Sequence, residues 1–235
     1  MKRRPGGELS TRPLHFIWIA DCSISMKTAG KIDALNQAIK DSIPYMQNVA
    51  YDNPNAQIYC RAIKFSSGAQ WHIETPVPIE DFQWKDLQTS GVTDMGAAFD
   101  LLGEVLRMPP MSDRALPPVL VLVSDGMPTD DYKAKLNKLM EQPWAIKAVK
   151  IAIGIGKAVN KRVLKEFIGN NDIEPLQADN APALTEYIKW VSTVVLQAAS
   201  SPASQSADVN SMGINVAIPE ISITDLEAIS VEDVW

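Results

Sequence analysis

The chain has 235 residues, 46% of them apolar and 21% charged, which suits one α/β domain of ordinary size with extensions. A formal net charge of −6 excludes a globally basic nucleic-acid-binding surface. Two cysteines (Cys22, Cys60) and two histidines (His15, His72) exclude a zinc cluster and a disulfide framework, so the cysteines read as free thiols of a reducing compartment.

Residues 1–12 are polar, basic and rich in Gly and Pro, which predicts a disordered segment. A Pro-Gly-Gly-Glu stretch stands where a signal peptide would be apolar, and no run reaches the roughly 18 apolar residues of a membrane span; the expected location is the cytoplasm. The run 14–20 (LHFIWIA) is apolar on both faces and reads as a buried parallel strand ending at Asp21. Ile32, Leu35, Ile39, Ile43 and Met46 fall at helical spacing over 31–49, with Pro44 expected to kink or shorten that helix. A strand is predicted over 56–65 with a hairpin partner at 69–74, followed by a turn-rich stretch over 75–92. The segment 95–108 reads as a helix stopped by Pro109-Pro110, with Asp94 placed as its N-cap.

A second buried strand, 119–124 (VLVLVS), again ends just before an acid, Asp125. Beyond it the pattern predicts a helix over 131–142, a strand over 146–153, a helix over 161–168 stopped by Gly169 or Asn170, a short strand at 174–178 and a long helix over 182–198. Alternating strands and helices imply an α/β fold: a doubly wound, mostly parallel central sheet flanked by helices, with one antiparallel edge strand. Ligands on such sheets bind outside the carboxyl ends of the strands, where Asp21 and Asp125 stand.

Three polar islands lie on that edge: Asp21-Cys22-Ser23-Ile24-Ser25, Ser90-Gly91-Val92-Thr93-Asp94 and Ser124-Asp125-Gly126-Met127-Pro128-Thr129-Asp130. Hard cations such as Mg²⁺ take oxygen ligands in near-octahedral geometry and retain waters. Three hydroxyls and two carboxylates meet that need: the hydroxyls supply neutral oxygens and the carboxylates balance a divalent charge. An ion held mainly by hydroxyls stays electrophilic and seeks an anion from outside, such as a carboxylate on a partner protein. That is a binding mechanism and requires no covalent chemistry.

The pattern Asp-x-Ser-x-Ser, a distant Thr and then Asp-Gly resembles the metal-ion-dependent adhesion site of von Willebrand factor A domains, with the resemblance running over residues 13–199. The segments DCSISM, SGVTDMGAAF and VLVSDGMPTDD resemble the bacterial TerY-like branch of that family, which is associated with tellurite-resistance and stress operons beside a protein kinase and a PP2C-type phosphatase. The resemblance implies that Ser23, Ser25 and Thr93 ligate Mg²⁺ directly, with Mn²⁺ or Ca²⁺ as alternatives, and that Asp21 and Asp125 act through waters or alternate with ligand state. Two departures bear on the site. Ile24 stands where the family commonly has Gly, which would narrow the mouth or stiffen the loop. Asp94 puts an extra carboxylate beside Thr93, where it would repel an acidic ligand, strengthen metal binding or cap the helix, the cap being favoured by position.

Residues 200–211 read as a linker, and 212–235 as an acidic and apolar tail. From Ala207 to Trp235 there are six acids and no Lys or Arg. Ile221, Ile223, Asp225, Glu232, Asp233 and Trp235 form a candidate partner motif, expected to add a strand to a sheet edge, dock into a partner, or place an acid in the metal site of a neighbouring copy. The expected function is a Mg²⁺-dependent protein-interaction module in a bacterial stress or defence system, partnering a kinase, a phosphatase or a related domain of the same family. The alternative is a substrate adaptor of an AAA+ ATPase of the MoxR or chelatase kind. Gly154-Ile155-Gly156-Lys157 lacks the spacing of a phosphate loop, and no general base is evidently placed, so no enzymatic activity is expected.

Overall fold

The computed structural model describes residues 11–200 and Trp235. Strand β1 (Arg12–Asp21) forms because its residues are apolar on both faces: Phe16, Trp18 and Ala20 enter one core, Ile17 and Ile19 the other. The strand begins ahead of the expected start. The Arg12 guanidinium donates to the carbonyls of Arg114 (2.8 Å) and Ala115 (2.9 Å), so Arg12 belongs to the fold rather than to a disordered segment. The rest of that segment, 1–10, lies outside the described residues.

Helix α1 (Lys31–Asp52) continues past Pro44 to Asp52, so the expected shortening does not occur. Pro44 removes one N–H from the helical ladder, yet the helix is held on either side by buried Leu35, Ile39 and Met46. Then follow β2 (Ala56–Ser66), β3 (Gly68–Pro78), α2 (Met95–Val105), β4 (Val119–Ser124), α3 (Tyr132–Met140), α4 (Pro143–Lys147), β5 (Val149–Ile155), α5 (Lys161–Ile168), β6 (Leu176–Ala178) and α6 (Ala181–Trp190). A π-turn over Val191–Val195 carries α6 into α7 (Leu196–Ser200). The strand expected at 146–153 starts at Val149, because Pro143 opens a short helix that buries Trp144 and Ala145.

The six strands form one sheet in the order β3-β2-β1-β4-β5-β6. All neighbours are parallel except β2 and β3. Strand β3 runs longer than the expected 69–74, carries Pro76 and Pro78, and pairs with β2 through register shifts near Ala62. Helices α1 and α6 cover one face of the sheet, and α2, α3 and α5 the other. Chain order reverses between β1 and β4, which makes their carboxyl ends the topological switch point. No helix among the described residues is long and apolar enough to cross a membrane.

His15 shows how the sheet's burial sets a pH limit. Its ring stacks on Tyr59 across the β1–β2 pair, with centroids 5.8 Å apart, and its Nδ1 is buried with no hydrogen-bond partner among the described residues. Burial, helped by the Arg61 charge, lowers its pKa to about 4. The unfolded chain takes up this proton near 6.5 and the folded chain only near 4, so stability falls as pH drops across that window. The expected loss is at most roughly 3 kcal/mol at one pKa unit per ~1.4 kcal/mol. Urea unfolding in EDTA at pH 7.5 and pH 4.5 measures it. His15→Phe keeps a ring at the stack and should flatten this part of the acid limb; an unchanged limb would refute the assignment.

Candidate metal site

The first island follows β1 at the switch point. Asp21 ends the strand fully buried, and its two oxygens are both engaged: Oδ1 accepts from the Ser23 N–H (2.8 Å) and Oδ2 from the Ser124 hydroxyl (2.6 Å). Ser124 is the last residue of β4, so that second bond ties the ends of β1 and β4 together. The Ser23 and Ser25 hydroxyls lie 2.8 Å apart, and Ser25 donates to Asp125 Oδ1 (2.7 Å).

The second island is pinned to the first through backbone bonds. Ser90 N–H donates to the Cys22 carbonyl (2.7 Å), Ile24 N–H to Gly91 (3.1 Å) and Asp94 N–H to Ser66 (2.8 Å). Thr93 is buried, and its backbone exchanges bonds with Thr129 of the third island: its N–H donates to Thr129 Oγ1 (3.1 Å), and its carbonyl accepts from the Thr129 N–H (2.9 Å). Gly126 lies between the second island and the first. A Cβ there would lie 3.5 Å from Thr93 Oγ1 and 3.9 Å from Ser25 Oγ. The structure thus brings Asp21, Ser23, Ser25, Thr93 and Asp125 to one place, on three segments far apart in sequence.

Asp94 occupies the N-cap position of α2, but its side chain makes no capping bond. It accepts instead from Gly68 N–H (2.8 Å) and Thr129 Oγ1 (2.8 Å), stapling the β2–β3 turn to the third island. The capping is done by Asp130, whose oxygens accept from the N–H groups of Gly96 and Ala97, each at 3.0 Å. The expected cap is therefore corrected: an acid from a neighbouring loop reaches the helix terminus first, and Asp94 supports Thr93 through Thr129. Ile24 is 59% exposed and stands at the outer rim of the site.

Lys31 was not expected here. Its ammonium donates to Asp125 Oδ2 at 2.8 Å, with the two side chains 11% and 1% exposed. A sequence signal did exist. Lys31 opens α1, where the helix dipole disfavours a cation, and a lysine kept there calls for an anion nearby. Asp21 has no ion pair among the described residues, and burial pushes its carboxyl up to about 6 despite the hydrogen bonds from Ser124 and Ser23. The site holds two buried carboxylates and one ammonium.

Among the described residues no three His, Cys, Asp or Glu side chains converge, so a cation here would depend on hydroxyl oxygens. The donor set supplies them: the hydroxyls of Ser23 and Ser25 adjoin each other and Asp125 Oδ1, and the Thr93 hydroxyl borders Gly126, as Ser25 does. Hard oxygen donors with one carboxylate lacking a cationic partner fit a divalent ion of the Mg²⁺ kind. Cys22, though adjacent, is packed in the core with its thiol pushed up to about 12 by burial, which suits a structural role.

No family model matches the chain, and no curated protein does. Solved structures do. One is a von Willebrand factor type A protein from Catenulispora acidiphila, at TM-score 0.59 and 16% identity, covering 77% of this chain and 42% of that one. The fold is that of a von Willebrand factor A domain. The ArnB paralog VWA2 from Sulfolobus acidocaldarius matches at TM-score 0.57 and 18% identity, over 76% of this chain and 44% of that one. Proximal thread matrix protein 1 from the mussel byssus, described with a zinc-occupied MIDAS motif, matches at TM-score 0.57 and 14% identity, over 80% of this chain and 47% of that one. The matched part of this A-domain fold is less than half of each of these neighbours.

Proposed function

We propose that the chain is a divalent-cation-dependent protein-binding module whose ion, Mg²⁺ with Mn²⁺ or Ca²⁺ as substitutes, is held by Ser23, Ser25 and Thr93 and balanced by Asp21 and Asp125. The observation that carries the reading is the composition of the face. A buried cluster of hydroxyls and carboxylates is ringed by Ile24, Val92 and Met127, which are 59%, 48% and 62% exposed, one from each loop of the site. Exposed apolar side chains around a charged centre suit a protein ligand: the apolar ring gives contact area, and the centre takes a carboxylate from the partner. When bound, the cation supplies the positive charge that draws that carboxylate in. The chain's own groups orient the cluster: Ser124 and the Ser23 N–H fix Asp21, and Lys31 fixes one oxygen of Asp125. Binding, not catalysis, is the activity proposed.

The neighbour with a zinc-occupied MIDAS motif supports a metal at this edge of the fold. The resemblance of DCSISM, SGVTDMGAAF and VLVSDGMPTDD to the TerY-like branch supports a cytoplasmic role in a bacterial stress system, with a protein kinase or a PP2C-type phosphatase as partner. A pull-down from cell extract with Mg²⁺ or with EDTA, read by mass spectrometry, tests both parts. Partners lost in EDTA are the expected result, and full retention in EDTA would sink the metal-dependent reading. Copurification of a hexameric ATPase would favour the adaptor alternative. Self-association through the tail would show as a second copy of this chain; its acids Asp225, Glu232 and Asp233 and its Ile221 and Ile223 lie outside the described residues.

A further inference from the structure

Trp235 lies on the domain. Its backbone N–H donates to the Asp179 carbonyl (2.9 Å), and its indole Nε1–H donates to the Ala29 carbonyl (3.0 Å). Its ring is partly buried against the core on the α1–α6 face. Ala29 follows β1, Gly156 follows β5 and Asp179 follows β6, so the contacts all fall on the carboxyl edge that carries the metal site.

The notch that receives the indole is shaped for it. Ala29 (φ 51°, ψ 31°) is the one non-glycine residue with positive φ among those described, and it is the residue whose carbonyl takes the indole N–H. Left-handed backbone in an alanine is unfavourable and persists where its surroundings or a function require it. Gly156 (φ 77°) forms the floor. A Cβ there would stand 3.4 Å from Trp235 Cβ and 3.3 Å from the Lys31 ammonium. Gln177 braces the walls, donating to the Gly156 carbonyl and to Asp179 Oδ1.

We infer that the notch of Ala29, Gly156 and Asp179 is the seat of the chain's own Trp235, an indole-binding site that fastens the tail beside the metal site. The segment 201–234, at ~3.3 Å per extended residue, spans on the order of 100 Å, so reach does not limit the contact. The Lys31 ammonium borders both the Gly156 floor of the seat and Asp125. Resting on the proposed function, this means that a partner approaching the metal site meets Trp235 on the same edge and displaces it.

The seat is tested without metal, so that its failure is distinct from failure of the metal-site reading. The probe is a fluorescein-labelled peptide of residues 226–235, titrated by anisotropy in EDTA against the full chain and its Trp235→Ala variant. The variant, its seat vacated, should bind at least tenfold more tightly than the wild type. Replacing the tryptophan of the peptide by alanine, or adding Gly156→Asn to the Trp235→Ala chain, should each weaken binding at least tenfold. Asparagine adopts the left-handed backbone more readily than other non-glycine residues, and its side chain would block the floor. Equal binding by both chains, or indifference to the peptide's tryptophan, overturns the inference. The indole N–H resonance of Trp235 in the ¹⁵N-labelled wild type, assigned by its loss in Trp235→Ala, decides if neither chain captures the peptide: a shifted and exchange-protected resonance supports the seat, and one at the position of free tryptophan overturns it.

Discussion

Thr93→Ala is expected to remove the protein's response to Mg²⁺ while leaving its fold in place. The threonine's contribution to the fold runs through its backbone, which exchanges bonds with Thr129, and alanine retains that backbone. Its hydroxyl borders Gly126, as the Ser25 hydroxyl does, which is where the proposed function places a direct ligand. Loss of a residue that merely orients a ligand typically costs 10–100-fold in metal affinity, so loss of the ligand itself should cost about 100-fold or more. Titration calorimetry with MgCl₂ reads the affinity. Thermal unfolding provides an independent reading, since an ion at 100 times its Kd stabilises a protein by about 2.7 kcal/mol. A Thr93→Ala chain that still gains the full Mg²⁺-induced rise in Tm would refute the ligand assignment.

The second large effect is expected from Lys31→Met. In the wild type the Lys31 ammonium neutralises Asp125 in a nearly dry environment. Removing one partner of a buried pair leaves a charge without compensation and commonly costs about 3–5 kcal/mol. Here the stranded carboxylate also lies near Asp21, which burial already holds partly against ionisation. The variant should therefore be markedly less stable than the wild type in EDTA, and Mg²⁺ should restore more stability to it than to the wild type, because the ion becomes the only compensating charge. Urea unfolding of both chains with and without Mg²⁺ gives the four free energies required. Equal losses in Mg²⁺ and in EDTA would show that Lys31 acts on the fold alone and leaves the ion unaffected.

The parts of the site that could be read from sequence share one property: each is local. Two runs apolar on both faces, each ending at an acid, identified β1 and β4 and put Asp21 and Asp125 at the ligand edge. The hydroxyl spacing Ser23, Ser25 and the Thr93-Asp94 pair were visible as polar islands between regular elements. The interactions between islands were not visible, because they depend on which loop reaches which atom. Asp94 has the right position for a cap, but Asp130 lies closer to the open N–H groups of α2, and only the folded chain decides that contest. Lys31 reads as the first residue of a helix, and Ser124 as the end of a strand; their bonds to Asp125 and Asp21 come from the sheet order. Strand β3 was underestimated because an edge strand with one solvated side lacks the continuous apolar run that marks β1 and β4.

The two edges of the sheet bear on how this protein meets others. An open edge normally invites another strand to pair with it, whether from a partner or from a misfolded copy. On one side β3 has no N–H to offer at Pro76 and Pro78, and its register shifts against β2 bend it out of a regular ladder. On the other side β6 is three residues long, too short to template a stable pairing. Among the described residues, both margins thus discourage a further strand, whereas the carboxyl ends of β1 and β4, where Asp21 and Asp125 stand, carry exposed loops and no such device.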